Sequence, residues 1–415
     1  MRHGFLRVID LEDARMRLER VWSPSPRVSM VPPWRAINRT TAGDVLSAAD
    51  FPPFSRASYD GYAVVASDTF GADEESPKEI ALRGEIRPGT APRLKIRRGI
   101  CARISTGAQM PAGADAVVMQ EHASEDGKKV LVRRAVAPGE NVSRRGSDVR
   151  RGEVIVKKGV RLNPAHIGAM VATGVRKVPV LERPRVAVIS TGDELVRPGG
   201  RLGPGKIYDS NGCSLAAAVL SCGGDPIYMG ICGDREGEIR SILLRALKKC
   251  DMVIISGGTS AGPGDLIPKI IKSIRGAVLI THGLAQKPGK PALAAVAMGK
   301  PIFGLPGYPV SALMVFDRLV ADQIRGLSGT PRPKERVVTA VLASKIISVT
   351  GRRELVPVKL ERRGSAVIAR PVIKDSGAIA SLSMADGYVE IPLEREMVEA
   401  GERVEVKMFA GDYAC

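Results

Sequence analysis

The stretch Val186-Ala187-Val188-Ile189-Ser190-Thr191-Gly192-Asp193-Glu194 decides the fold. It opens with an unbroken apolar run rich in β-branched residues and stops at a glycine followed by two acids. A run this short, ended by turn formers, reads as a strand buried on both faces. Downstream, helical spacing at 210–220, 235–248 and 265–274 alternates with strand-like runs at 227–231, 252–255, 277–280, 292–296 and 301–305, and a long helix is expected over 309–324. Strands separated by helices in this rhythm make βαβ units. The expectation is a doubly wound, mostly parallel α/β sheet with helices on both faces.

Upstream, Val8, Leu11, Leu18 and Val21 are spaced as one face of a helix, and four prolines within 23–33 end it. Residues 53–139 are different. Short apolar runs alternate with the turn pairs Asp60-Gly61, Pro88-Gly89, Asp126-Gly127 and Pro138-Gly139, the pattern of a β-rich unit. Short strands such as 154–156 follow, then a short helix over 166–174. Beyond the α/β section, 325–335 reads as a Gly/Pro/Lys-rich linker, and the rest as a small β domain.

The chain has 415 residues, enough for roughly two to four units. Hydrophobic residues make up 44% and aromatics 4%, so the cores are aliphatic. No run approaches the ~20 apolar residues of a membrane span, and the first residues lack a signal-peptide core, so a cytoplasmic protein is expected. The cysteines form no C-x-x-C pair and the histidines are scattered, which argues against a disulfide frame or a zinc site. The net charge of +18 suits either nucleic acid or a small, multiply anionic substrate. Its basic residues are dispersed and without aromatic platforms, so nucleic-acid binding is not expected.

Ligands of an open α/β sheet bind beyond the carboxyl ends of its strands, and five loops there carry chemistry. They are Thr191-Gly192-Asp193-Glu194, Gly233-Asp234, the run Gly257-Gly258-Thr259-Ser260 ending at Asp265, Gln286-Lys287-Pro288-Gly289-Lys290-Pro291, and Pro306-Gly307-Tyr308-Pro309. Paired glycines let backbone N–H groups approach an anion. Lys287 and Lys290 supply point charges for a phosphate or oxyanion. Glu194, Asp234 and Asp265 suit Mg²⁺, which takes carboxylates together with substrate phosphate. Each loop alone is more often a plain turn or helix cap; five at one sheet edge are not. No G-x-x-x-x-G-K-[ST] occurs and no G-x-G-x-x-G follows the first strand, which excludes a P-loop NTPase and a dinucleotide-binding domain. The β-rich part adds the loops around Asp60, Thr106 and Asp148.

Five segments in order, Ser58-Tyr59-Asp60-Gly61-Tyr62-Ala63, Ser190-Thr191-Gly192-Asp193-Glu194-Leu195, Gly257-Gly258-Thr259-Ser260 with Asp265, Lys287-Pro288-Gly289-Lys290-Pro291, and Gly304-Leu305-Pro306-Gly307-Tyr308-Pro309-Val310-Ser311-Ala312, resemble the molybdopterin molybdenumtransferase family (MoeA and the gephyrin E domain) over essentially the whole chain. The resemblance implies a discontinuous linker domain at 1–52 and 140–180, an inserted β-rich domain at 53–139, an α/β molybdopterin-binding domain at 181–326 and a C-terminal β-barrel-like domain at 332–415. It also implies a homodimer whose active site lies between the α/β domain of one subunit and the inserted domain of the other. The implied reaction takes adenylylated molybdopterin, molybdate or tungstate, and Mg²⁺, and gives molybdenum cofactor and AMP.

Carried onto this chain, the catalytic positions are Glu194, Asp60, Thr106 and Asp148. Thr191, Gly192, Asp193, Gly257, Gly258, Ser260, Lys287, Lys290, Pro306, Gly307 and Pro309 bind the substrate, and Asp234, Asp265 and Glu194 hold the metal. Implied protein partners are a molybdopterin adenylyltransferase and cofactor-accepting enzymes. Tyr59, Thr259 and Tyr308 depart from the family's usual Met, aliphatic residue and Asn. The rival readings are a molybdopterin adenylyltransferase, which is normally the α/β domain alone, and a dimeric molybdopterin-binding scaffold or carrier that has kept the fold.

Overall fold

The computed structural model describes residues 8–259, 266–372 and 380–409. The chain divides into two compact units, residues 1–29 with 181–415, and residues 30–180. The segment expected as the first part of the linker is therefore split. Helix α1 (Leu11–Val21) falls in the first unit because Leu11, Ala14 and Leu18 are buried in its main core.

That core belongs to a six-stranded sheet. Its strands are β1 (Arg185–Thr191), β2 (Asp225–Cys232), β3 (Met252–Ser256), β4 (Val278–His282), β5 (Leu293–Ala297) and β6 (Lys300–Leu305), in the spatial order β2-β1-β3-β6-β5-β4. The pairs β2/β1, β1/β3 and β3/β6 are parallel. The last two pairs are antiparallel, because no helix intervenes between β4, β5 and β6 to carry a crossover. Successive residues in the strands serve opposite cores: Val186, Val188, Met252 and Ile254 face one, and Ala187, Ile189, Val253 and Ile255 the other. This explains the continuous apolar runs. Helices α1 and α2 (Ser210–Ser221) cover the first face, and α3 (Glu236–Lys249) and α4 (Leu266–Ser273) the second.

The helix expected at 309–324 runs further. It consists of α5 (Pro309–Val315), a π-helical turn at Phe316–Val320, and α6 (Ala321–Ser328), ended by Gly329 in the left-handed region. The expected linker start at 325 is thus helical. Arg325 pairs with Asp322 one turn back, and Leu327 joins the core.

The rest of this unit is a closed barrel of β7 (Val337–Leu342), β8 (Arg353–Arg363), β9 (Ala366–Pro371), β10 (Gly387–Ile391) and β11 (Arg403–Met408), paired β8-β9-β7-β11-β10 and back to β8. Val389 and Ile391 of β10 point into its core, while the alternate residue Tyr388 packs with Val310 and Met314 of α5.

The second unit holds another six-stranded sheet, in the order Ala116–Met119, Gly61–Val64, Ile100–Ile104, Lys78–Ile86, Lys129–Val132, Ala123–Asp126. A separate apolar cluster gathers Val45, Val156 and Leu162 with Met170 of the helix Pro164–Ala172. That helix starts two residues before the expected 166, where Asn163 and His166 form a reciprocal cap over Pro164 at the first helical position.

Candidate active site

From β1 the chain winds through α2 to β2 on one side, and then through α3 to β3 on the other. The winding reverses between β1 and β3, where an open α/β sheet leaves a crevice beyond its strand ends. The loops after β1 and β3 meet backbone to backbone. At Gly257, with φ +97°, an added Cβ would lie 2.5 Å from the Thr191 carbonyl oxygen. Only glycine serves there.

Asn211, at the start of α2, ties the loops together. Its side-chain N–H₂ donates to the Ser256 hydroxyl and to the Gly307 carbonyl, both at 2.8 Å. Its Oδ1 is buried and has no partner among the described residues. Asp209 caps α2, accepting from the Gly212 N–H at 2.8 Å and from the Tyr228 hydroxyl at 2.7 Å. Burial, and then the hydrogen bond to Asp209, push the Tyr228 phenol pKa upward.

A cavity of about 590 Å³ opens over these loops. Of the residues expected from sequence, Thr191, Gly192, Glu194, Asp234, Gly257, Gly258, Pro306, Gly307 and Pro309 line it. Asp193 sits behind them, its Oδ1 3.4 Å from the Asp234 N–H. Asp234 is an exposed residue, yet local loss of hydration, followed by repulsion from Asp193 and Glu194, raises its carboxyl pKa. Among the described residues no three acids, histidines or cysteines converge as a closed metal cage. The acid cluster instead fits an ion such as Mg²⁺, which takes one or two carboxylates and completes its shell with water and substrate phosphate. Ser260 and Asp265 lie outside the described residues.

Lys287 and Lys290 line an adjoining cavity of about 840 Å³ between the sheet and the barrel, which shares Pro291, Pro306 and Tyr308 with the first. The short strand Gln286–Lys287 pairs in parallel with Arg353–Glu354 of β8. This register sets the Lys287 Nζ 2.8 Å from Glu354 Oε1. Glu354 Oε2 and Gln286 Oε1 are buried without partners among the described residues. Arg352 adds a third cation to this cavity, and Ser381 a hydroxyl.

In the second unit the structure joins two expected residues. Asp60 Oδ1 accepts from the Thr106 N–H at 2.6 Å and from the Thr106 hydroxyl at 3.0 Å. Asp148 is exposed on another loop, held through its own N–H to the Phe51 carbonyl at 3.2 Å. Sequence reasoning missed Asp209, Asn211, Arg352, Glu354 and Ser381. Asp209 carried a readable signal, as an acid before a helix with glycine at the third position. The others reach the cavities only through tertiary pairing.

Three family models match in order along the chain. The MoeA N-terminal region (domain I and II) matches residues 9–174, the probable molybdopterin binding domain 187–326, and the MoeA C-terminal region (domain IV) 339–409. Molybdopterin molybdenumtransferase 2 of Mycobacterium tuberculosis is 35% identical over 383 residues, which cover 91% of this chain and 94% of that protein. The chain belongs to the MoeA family. A putative molybdopterin biosynthesis protein of Methanocaldococcus jannaschii is 34% identical over 381 residues, covering 89% of each chain. The crystal structure of a molybdopterin biosynthesis MoeA protein from Pyrococcus horikosii superposes with a TM-score of 0.80 at 40% identity, over 98% of this chain and 100% of that one. The MoeA architecture thus accounts for the β-rich N-terminal part, the α/β sheet and the closed barrel together. No helix among the described residues is long and apolar enough to cross a membrane.

Proposed function

We propose that this MoeA-family chain is a molybdopterin molybdenumtransferase acting on adenylylated molybdopterin, taking up molybdate or tungstate and releasing AMP. The observation that carries the reading is the pair of adjoining cavities at the switch point, one acidic and glycine-lined, the other bearing Lys287, Lys290 and Arg352. A substrate with phosphate groups, an oxyanion and a divalent ion needs both charges side by side. The backbone N–H groups of 257–258 and the two lysines offset phosphate and oxyanion charge. Glu194 of one subunit positions the oxyanion at the dithiolene, and the inserted domain of the other subunit supplies the Asp60 carboxylate, fixed by Thr106, with Asp148 assisting. Asp234, Asp265 and Glu194 would hold Mg²⁺, which when bound neutralises phosphate charge and favours loss of the nucleotide. The protein works as a cytoplasmic homodimer, receives its substrate from an adenylyltransferase and passes its product to cofactor-accepting enzymes. The four-domain division expected from sequence belongs to the same proposal, with 1–29 moved to the α/β part.

The test is AMP release from purified protein given adenylylated molybdopterin, Mg²⁺ and either oxyanion. Oxyanion-dependent release is expected, and substrate binding without release would identify a carrier instead. Glu194→Gln should retain binding and lose release by roughly a hundredfold or more, the scale of removing one positioned charged group. Unchanged turnover in that variant removes Glu194 from the mechanism.

A further inference from the structure

A third cavity, of about 370 Å³, lies away from both of these, among α1, the helix Pro309–Ser328 and the barrel. Seven arginines and lysines line it against five acids. The imbalance is built from two similar clusters. Glu390 takes three cations: Arg318 at 3.2 Å, Lys407 at 2.9 Å, and Arg353. Asp322 also takes three: Arg332 at 2.7 Å, Arg325 at 3.3 Å and Arg15 at 3.7 Å. Exposed Glu12 and Glu335 relieve Arg15 and Lys407 only at the rim. Side chains of Arg318, Arg325 and Asp322 are less than one fifth exposed.

Asp317 also lines the cavity and its charge acts on Arg318 and Arg325, and Asp10 lies 3.9 Å from Arg353. Among the described residues the cations at this cavity still outnumber the acids beside them, in a partly dehydrated place that an added anion would complete. The donors are also unfilled. The Nε–H groups of Arg318 and Arg353 are buried without acceptors among the described residues, and Lys334 adds a further ammonium to the wall. Guanidinium groups present paired donors at the spacing of tetrahedral oxyanion oxygens.

We infer that this cavity is a second anion site of the protein, taking one small, multiply charged anion of the phosphate class between the Asp322 and Glu390 clusters. It is separate from the proposed reaction site. None of its lining residues is shared with the two cavities at the sheet edge.

The test is calorimetric titration of the full-length protein with sodium phosphate, against sodium chloride at matched ionic strength. Saturable phosphate binding is expected, including one site per chain that does not depend on Lys287 or Lys290. It should weaken tenfold or more in Arg332→Gln and in Arg15→Gln, about the loss of one charge-assisted hydrogen bond. Arg332 is 68% exposed, so its replacement leaves the fold intact, and AMP release by that variant should be unchanged. The doubly substituted Lys287→Ala, Lys290→Ala protein should bind phosphate at this site as before. Three results overturn the inference: no saturable binding, binding lost with the lysines but kept without the arginines, or binding of a glutamate-rich peptide and not of phosphate.

Discussion

The six-stranded sheet and the barrel solve burial in opposite ways. In β1 every residue after Arg185 is buried, as is every residue of β3, and the apolar ones alternate between the two cores. Only the last residue of each strand, Thr191 and Ser256, reaches the cavity, and the remaining polar function lies on the loops at the carboxyl edge. In β10 of the barrel, Val389 and Ile391 face inward, while Tyr388 and Glu390 face outward onto a helix and an ion-pair network. Here polar groups sit inside the strand itself and hold the structure. Substitutions at the sheet edge should therefore abolish activity at modest cost in stability, and substitutions on the outer face of the barrel should do the reverse.

Gly257→Ala should show the largest effect. Its Cβ would strike both the carbonyl oxygen and the Oγ1 of Thr191, at 2.5 and 2.7 Å. Separating the β1 and β3 loops by even ~1 Å should lower AMP release by on the order of a hundredfold. Gly401→Ala in the barrel, at φ +83° but with nothing within 4 Å of its Cβ, meets only backbone strain. It should lower Tm by a few degrees, for roughly 1–2 kcal/mol of strain, and leave release unchanged. Equal loss of activity in both variants would erase the contrast.

Glu390 tests the barrel side. Burial alone would raise its pKa, but hydrogen bonds from Arg353 and Lys407, with the Arg318 charge, bring it down to about 2. Its folded pKa is thus below the unfolded value of about 4.3. The stabilisation it provides is complete above that value and is lost as pH falls towards 2. Glu390→Gln should cost on the order of 3 kcal/mol at neutral pH. The midpoint of denaturant unfolding should then change less with acidification between pH 5 and 2 than in the parent protein. A parallel shift of both curves would show that Glu390 does not govern the acid limb.

Much of this division was legible in the sequence. Buried runs of Val, Ile and Ala can only be strands covered on both faces, and glycine–acid pairs at their ends announced the edge loops. The antiparallel β4, β5 and β6 were less clear, since strand spacing is visible but direction depends on whether a crossover helix intervenes. The helix over 309–328 outran its expected end because Arg325-Gly326 looks like a linker until Asp322 and the buried Leu327 are seen to hold it. Arg352, Glu354 and Ser381 could not be read as site residues at all. Arg352 and Glu354 reach the lysine loop through the pairing of Gln286–Lys287 with β8, across more than sixty positions, and Ser381 comes from the separate helix Ala380–Ser383.

Where sheet and barrel meet, the two behaviours should mix. Lys287 is half exposed and its partner Glu354 is buried. Lys287→Met should weaken substrate binding and also destabilise the fold, because it leaves a buried carboxylate with neither oxygen paired. Adding Glu354→Gln should restore the lost stability, read as Tm, without restoring the substrate KM. Recovery of both together would mean that Lys287 acts only as a structural partner.

The smallest effect belongs to Tyr308, which is 62% exposed on the wall common to both sheet-edge cavities. It opens α5 without a side-chain cap. Its ring offers a flat face to a planar heterocycle, and stacking of that kind is worth ~1–3 kcal/mol. Tyr308→Asn, which removes the ring, should raise the substrate KM roughly five- to tenfold at the low end of that range while kcat and Tm stay as they are. Tyr308→Phe should keep the parent KM, since stacking needs the ring and not the hydroxyl. If Phe and Asn are equally impaired, the hydroxyl is the contact, and this edge recognises its substrate by hydrogen bonding even at its most exposed point.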